Sequence, residues 1–232
     1  MIVLINKLKK KLNLEQDIID CILKYDRQKF YPINDITIYY NRPKIIKGTN
    51  QTMSAPHIHA ITLQKFNIIL QEELLKVKNK YHKLKFNVLD VGCGTGYTTA
   101  TISEMLKIKE NKCRIIGVDI NDYLINLTLN NLKKTGFKNE IKNGKIVIRN
   151  KDGWKGHSVY APYKFINVAA NAPSIPNILY HQLDINGIML IPINGEYMLI
   201  KKIVKNGNIT MTKTKLMNVR FVKLIKFNKN KI

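Results

Sequence analysis

The sequence predicts an α/β fold: a doubly wound, mostly parallel sheet preceded by helices and closed by a C-terminal antiparallel hairpin. Short, nearly continuous apolar runs such as FNVLDVG (86–92), CRIIGVDI (113–120) and GIMLIPI (187–193) alternate with helix-length segments. Strands that are apolar on both faces belong to a parallel sheet with helices covering each side. Near the end, two runs are joined at Asn206-Gly207, a dipeptide suited to a tight hairpin turn.

Taken in order, segment 1–30 reads as helical, with Ile2, Ile5, Leu8 and Leu12, then Ile18, Ile19, Ile22 and Leu23, at helical spacing. Asn13 to Gln16 resembles a capping box with Asn in place of Ser. From Phe30 to Thr49 the text is turn-rich and aromatic, broken by Pro32 and Pro43, which predicts a loop or short strands. His57 to Lys78 carries Ile58, Ile61, Leu63, Ile68, Ile69, Leu74 and Leu75, a long amphipathic helix with Ser54 as its cap and Pro56 in its first turn.

The alternation then begins. Strand 86–92 is followed by a helix from Tyr97 to Leu106, and strand 113–120 by a helix from Asp122 to Lys134 that ends before Gly136. Strands follow at 144–149 and 163–170, then a short helix from Ile175 to Leu183 and the strand at 187–193. Glu196 to Lys205 and Asn208 to Leu216 form the hairpin.

At 232 residues and 45% hydrophobic content, the chain can bury one sizeable core, so a single domain is expected. The net charge of +23, from 39 Lys+Arg against 16 Asp+Glu, would suit a polyanion partner. The lysines, however, are scattered through every segment beside Asn and Ile, which reads as composition rather than a footprint, and nucleic acid is not expected as a partner. Cys21, Cys93 and Cys113 lie far apart and are odd in number, which points away from a disulfide framework and toward a reducing, cytoplasmic setting. The opening MIVLINKLKKK lacks the layout of a signal peptide, and no apolar run reaches membrane-spanning length, so no membrane partner is expected.

The strongest local signal is VLDVGCGTGYTTA (88–100), a strand running into Gly92, Gly94 and Gly96 and then a helix. Glycines there let the backbone bend sharply and approach a ligand while the helix start presents its amides. A dinucleotide fingerprint would need its third glycine where Tyr97 stands, and no Lys-Ser/Thr follows to make a phosphate-binding loop. Gly-x-Gly-x-Gly preceded by an acid, Asp90, resembles motif I of the S-adenosylmethionine-dependent methyltransferases, whose fold is Rossmann-like. Asp119, ending the next strand, can accept ribose hydroxyls, although an acid at a strand end is by itself more often a cap. Asp152-Gly153 follows the third strand at the carboxyl edge; its carboxylate could take an adenine amino group, or the pair could be an ordinary turn.

TMSAPHIHA, LDVGCGTGYTTA, GVDI, KDGWKG, APYKFINVAANAP, NGIMLIPI and VRFVKL occur in this order. Together they resemble the protein-L-isoaspartate (D-aspartate) O-methyltransferase family over essentially the whole chain. The resemblance implies one methyltransferase domain, with a helical and lid region (1–82), a cofactor-binding core (83–194) and C-terminal strands (195–232). It implies S-adenosylmethionine as cofactor, S-adenosylhomocysteine as product, and isoaspartyl-containing peptides and proteins as substrates; a monomer is expected. It further implies Ser54 as the catalytic residue, with Gln51, Thr52, Met53, Ser54, His59, Asp90, Gly92, Gly94, Gly96, Asp119, Asp152 and Gly153 beside the cofactor. The family's usual text differs at Lys151, Lys164, Asn171 and Lys223, where it has Gly, Asp, a small residue and Pro.

The implied acceptor is a carboxylate of ordinary pKa about 4, ionised at neutral pH without a base, so positioning and exclusion of water are the protein's tasks. One hydroxyl such as Ser54 can orient it, whereas an Arg clamp would hold the ground state more firmly than the charge-cancelling transition state. His57 and His59 have no third ligand near them, and no metal is expected. A base-amino methyltransferase would carry an Asn/Asp-Pro-Pro-aromatic block where this chain reads Asn171-Ala172-Pro173-Ser174. A non-catalytic cofactor-binding homologue is the other alternative; Ser54, the three glycines and Asp119 argue against it.

Overall fold

The computed structural model describes residues 2–77 and 83–227. Two N-terminal helices, α1 (Ile2–Leu12) and α2 (Gln16–Lys24), lead into single helical turns at Arg27–Phe30 and Ile36–Tyr39 and a two-strand ribbon, β1 (Lys44–Ile45) with β2 (Thr52–Met53). Helix α3 (Pro56–Leu74) precedes the alternation β3 (Asn87–Val91), α4 (Tyr97–Met105), β4 (Arg114–Asp119), α5 (Asp122–Leu132), α6 (Lys138–Lys142), β5 (Ile146–Asn150), β6 (Tyr163–Val168) and α7 (Asn177–Gln182). Strands β7 (Leu183–Ile193), β8 (Glu196–Lys205) and β9 (Asn208–Asn218) complete the sheet.

The main sheet has seven strands in the order β5-β4-β3-β6-β7-β8-β9. Pairings from β5 through β7 are parallel, whereas β7-β8 and β8-β9 are antiparallel, so the predicted fold class holds, hairpin included. Asn206 and Gly207 take positive φ (51° and 76°), as the hairpin turn requires. From β3 the chain steps outward to β4 and β5, then returns to lay β6 on the other side of β3. The crevice at the carboxyl ends of β3 and β6 is therefore the switch point where such sheets bind ligands.

Alternation within the strands builds two cores. Val88, Ile115 and Phe165 face the layer of N-terminal helices, while Leu89, Val91, Ile116, Ile166 and Val168 face the layer of α7. Phe66 of α3 is fully buried edge-on against Phe165, with ring centroids 5.3 Å apart. That contact pins the N-terminal layer to the sheet and contributes about 1 kcal/mol beyond its area burial.

Several expectations are corrected. Asn13 does not open a capping box: it ends α1 at φ 49°, and Glu15 precedes α2 without a side-chain cap bond. Helix α3 is not simply amphipathic, because it is packed between α1, α2, α4 and the sheet. It is buried around most of its girth, Thr62 and Asn67 included, while Ile68, Leu74 and Leu75 are exposed; the predicted end at Lys78 lies outside the described residues. Its N-cap is Ala55, extended at φ −60° and ψ 149°, so Ser54 stands one residue too early to cap it. Beyond Leu132 the helical path continues through a widened turn into α6, with Gly136 (φ 97°) absorbing the kink.

Candidate active site

At the end of β3 the backbone turns back on itself, and the Gly92 amide donates to the Val118 carbonyl at 2.8 Å. Gly92 sits at φ 77°, with Ala169 Cβ 3.6 Å from where its own Cβ would lie. Gly94 sits at φ 56°, and among the described residues, its chain neighbours aside, only the Gly92 carbonyl comes within 4 Å of its notional Cβ, leaving that face open to a ligand. Gly96 makes the N-cap of α4 at φ 82°, close against Thr128 of α5.

Below this turn lies a buried polar pair. Asp90 and Asn167 are register partners on β3 and β6, and the pleat points both toward α4. One Asp90 oxygen accepts from Asn167 Nδ2 (2.8 Å) and the other from Thr99 Oγ1 (2.7 Å). Burial pushes the Asp90 carboxyl up to about 6, and those two donors oppose the shift. Asp90 thus braces the glycine turn from beneath and does not line the crevice.

Asp119, at the end of β4, accepts from the Gly94 amide (3.1 Å) through Oδ2 and from the Asn121 amide (3.0 Å) through Oδ1. Burial raises its pKa above the ordinary carboxylate range, and the backbone donors counter it. Each oxygen keeps further lone-pair capacity toward the crevice.

The crevice is a trough in two parts. The inner part, about 420 Å³, is lined by Met53, Ser54, His59, Tyr97, Thr98 and Asn167 among others. The outer part, about 550 Å³, is lined by Gln51, Asp119, Leu124, Gly153, Leu224 and their neighbours. Thr52, Gly92, Gly94 and Ala169 belong to both, which makes the trough continuous. A third cavity of about 690 Å³, opening between Pro43, His57, Asn218 and Arg220, shares Thr52, Ser54, Ile58 and Phe221 with the inner part. Ser54 therefore stands in the wall between the trough and an opening at the surface.

His59 is buried; its Nδ1 lies 3.1 Å from Thr98 Oγ1, and its ring meets Tyr97 edge-on at 4.7 Å. Its Nε2 is buried without a hydrogen-bond partner among the described residues. Burial, then the nearby Arg27 charge, hold its pKa far below the usual histidine range, with the Ser54 backbone opposing, so the ring is neutral. His57 is tied instead to Asn41 Oδ1, with Nδ1 at 2.7 Å and the backbone amide at 3.0 Å. Among the described residues no three His, Cys, Asp or Glu side chains gather as metal ligands.

Of the residues singled out from sequence, Gln51, Thr52, Met53, Ser54, His59, Gly92, Gly94, Asp119 and Gly153 line the trough. Asp90, Gly96 and Asp152 do not. Asp152 accepts from the Trp154 amide (2.9 Å) and the Phe227 amide (3.3 Å), capping the turn that carries Gly153. Sequence reasoning missed Asn167 and Tyr197, which line the inner trough, the latter with its hydroxyl 3.0 Å from Thr62 Oγ1, and Arg27, which lies behind the lining and donates to the Ser54 carbonyl. Asn167 had a signal, as the one polar residue in FINVAA; Arg27, set in the polar text YDRQK, had none.

The four departures from the family text fall in place. Asn171 forms a parallel bridge to Lys223, and its Oδ1 accepts from the Gly195 amide at 2.9 Å, which ties the C-terminal segment to the sheet. Lys223 lines the outer trough, Lys151 is exposed, and Lys164 pairs with Asp184 at 2.9 Å on β7.

The trough has the shape and chemistry for a nucleoside joined to an amino-acid tail. It offers hydroxyl acceptors at Asp119, an open glycine face, the start of α4 and an orphaned neutral imidazole. Comparison with known proteins agrees. The profile of the protein-L-isoaspartate(D-aspartate) O-methyltransferase (PCMT) family matches residues 2–229. The chain belongs to this family.

Among PCMT relatives, protein-L-isoaspartate O-methyltransferase 2 of Arabidopsis thaliana is 34% identical over 199 residues, spanning 86% of this chain but only 59% of that protein's length. The protein-L-isoaspartate O-methyltransferase of Thermosipho melanesiensis is 30% identical over 216 residues, 93% of this chain and 98% of its own. A PCMT crystal structure from Plasmodium falciparum, in complex with S-adenosyl-L-homocysteine, superposes with a TM-score of 0.78 at 28% identity, covering 97% of this chain and 98% of that one. The PCMT chain described here therefore shares the architecture of a relative whose crystal holds the demethylated donor.

Proposed function

We propose that this chain is a protein-L-isoaspartate O-methyltransferase that moves a methyl group from S-adenosylmethionine to the free carboxylate of L-isoaspartyl residues in proteins. The observation that carries the reading is the position of Ser54, in the wall shared by the trough and the surface-opening cavity. A donor in the trough and a peptide carboxylate entering from the surface would meet at that hydroxyl.

When bound, S-adenosylmethionine supplies a methyl group on a positively charged sulfur. This chain's residues do the rest. Asp119 accepts ribose hydroxyls, Gly92 and Gly94 allow close approach, and the N-terminus of α4 with the neutral His59 receives the polar tail. Gln51 to Met53 cover the trough, and Gly153 borders its outer end. Asp90 and Asp152 act from behind, by bracing the glycine turn and shaping the Gly153 turn. Ser54 donates one hydrogen bond that orients an already ionised acceptor, and no base is called for. The covering loop excludes water, which keeps the reaction a transfer rather than a hydrolysis.

The domain reading treats the helical and lid region (1–82), the core (83–194) and the C-terminal strands (195–232) as one unit, supported by one apolar core that draws on all three. A cytoplasmic location is supported by Cys21, Cys93 and Cys113, all buried free thiols. Among the described residues no helix is long and apolar enough to cross a membrane. A nucleic-acid substrate is disfavoured because Asn171 spends its side-chain oxygen on Gly195 rather than offering it to a flipped base.

The test is transfer of labelled methyl from S-adenosylmethionine to an isoaspartyl peptide and to its aspartyl twin. The reading expects label on the first alone; equal labelling, or labelling of RNA only, overturns it.

A further inference from the structure

We propose that Arg27 is a positioning residue, a buried clamp that fixes the Ser54 loop at its working height over the glycine turn. The proposal rests on the methyltransferase reading above. Arg27 belongs to the helical turn after α2 and is only 2% exposed. Its Nη2 donates to the Ser54 carbonyl at 2.9 Å and its Nε to the Ile38 carbonyl at 3.2 Å. Its guanidinium lies 5.4 Å from the centroid of the Tyr97 ring. One planar group thus touches the loop that carries Ser54, the turn at Ile36–Tyr39 and the first residue of α4.

The physical case is one of geometry against stability. A buried cation whose contacts are neutral carbonyls and a ring recovers little of its desolvation cost, and Nη1 is buried without a partner among the described residues. The group remains charged at neutral pH, since burial lowers its pKa only to about 10. What it does supply is a rigid fork. The Ser54 carbonyl belongs to the peptide plane that follows the Ser54 α-carbon, so fixing it fixes where the side chain starts. Tyr97, held beneath the guanidinium and edge-on to His59, ties that height to the trough wall. Lysine could keep the charge but could not reach both carbonyls while stacking on the ring.

Arg27→Lys and Arg27→Met are compared with wild type in two assays. Hydrogen exchange is followed at the amides of residues 50–55. In folded variants these should exchange about tenfold faster than in wild type while the amides of α4 stay within about twofold. Turnover on an isoaspartyl peptide should fall about tenfold to a hundredfold, with affinity for S-adenosylhomocysteine within about threefold, since a misplacement of about 1 Å can cost two decades in rate. Unchanged exchange in the loop overturns the clamp. So does a loss of S-adenosylhomocysteine affinity as large as the loss of turnover, which would mark Arg27 as part of the trough. If wild type fails to methylate the peptide, the substrate reading falls and the exchange result alone decides the clamp. Should both variants misfold, Asp26→Ala removes the cap of the same turn, whose carboxylate accepts from the Gln28 amide (2.9 Å) and the Tyr39 hydroxyl (2.7 Å). It should speed exchange at 50–55 in the same sense, and normal exchange there counts against the proposal.

Discussion

The carboxylate of Asp119 accepts the backbone amide of Gly94 at 3.1 Å, so the acid at the end of β4 holds the glycine turn at the end of β3. One side chain therefore shapes the turn and offers acceptors to whatever lies on it. Replacing it by Ala removes both effects. Asp119→Ala should weaken S-adenosylhomocysteine binding by about 10- to 100-fold, the scale of charge-assisted hydrogen bonds. Asp119→Asn, which keeps one acceptor for Gly94, should lose less. Titration calorimetry decides between these; equal affinity in all three proteins would remove Asp119 from the site.

Ala55, not Ser54, is the N-cap of α3, so the Ser54 hydroxyl is not committed to capping that helix. Ser54→Ala should lower turnover on an isoaspartyl peptide by about 100-fold, comparable to losing one aligned donor at a reacting oxygen. Affinity for S-adenosylhomocysteine should stay within about fivefold, and the melting temperature should hardly move. Steady-state kinetics beside a binding isotherm make the check. A collapse of cofactor affinity would mark the hydroxyl as structural.

Much of this was legible in the chain and some was not, for identifiable reasons. Strands buried on both faces write continuous apolar runs, and a turn at positive φ writes glycine, so β3 to β6 and the switch point could be read directly. Helix boundaries depend on neighbours: α3 is enclosed by three helices and the sheet, which erases the stripe that periodicity looks for. Asp90 and Asp119 look alike in sequence, as acids near strand ends. The pleat turns Asp90 down onto Asn167 and Thr99 and leaves Asp119 at the rim, a difference of strand register that one sequence does not display. Arg27 was invisible because its partners are carbonyls at Ile38 and Ser54, and a carbonyl carries no residue identity.

Lys164 replaces the acid that the family usually has. Its ammonium lies 2.9 Å from Asp184 and 4.0 Å from Glu73, with its side chain only 16% exposed. Restoring the acid would set three carboxylates together. Lys164→Asp should therefore destabilise the protein, by about 1–3 kcal/mol. Adding Asp184→Lys should recover part of the loss, read from urea midpoints at pH 7. If Lys164→Asp is as stable as wild type, the surroundings tolerate either sign and the pairing contributes nothing.

Asp90 gives a pH dependence whose sign follows from its burial. Its carboxyl is pushed up to about 6 in the folded chain, against about 4 for an unfolded aspartate. The folded state therefore binds its proton more tightly, and stability from this group falls as pH rises from about 4 through about 6. Above that window the full penalty for a buried charge applies; below it the penalty is absent. Asp90→Asn removes the titration while keeping a group that can accept from Asn167 and donate to Thr99 Oγ1. Wild-type stability relative to Asp90→Asn should thus be greater at pH 4.5 than at pH 7. The difference between about 4 and about 6 sets an upper scale of about 3 kcal/mol for that change. Denaturant midpoints of both proteins at the two pH values measure it, with the other acids cancelling in the difference. A gap that does not move with pH means Asp90 titrates in the ordinary range, and a gap that moves the other way means its hydrogen bonds outweigh its burial.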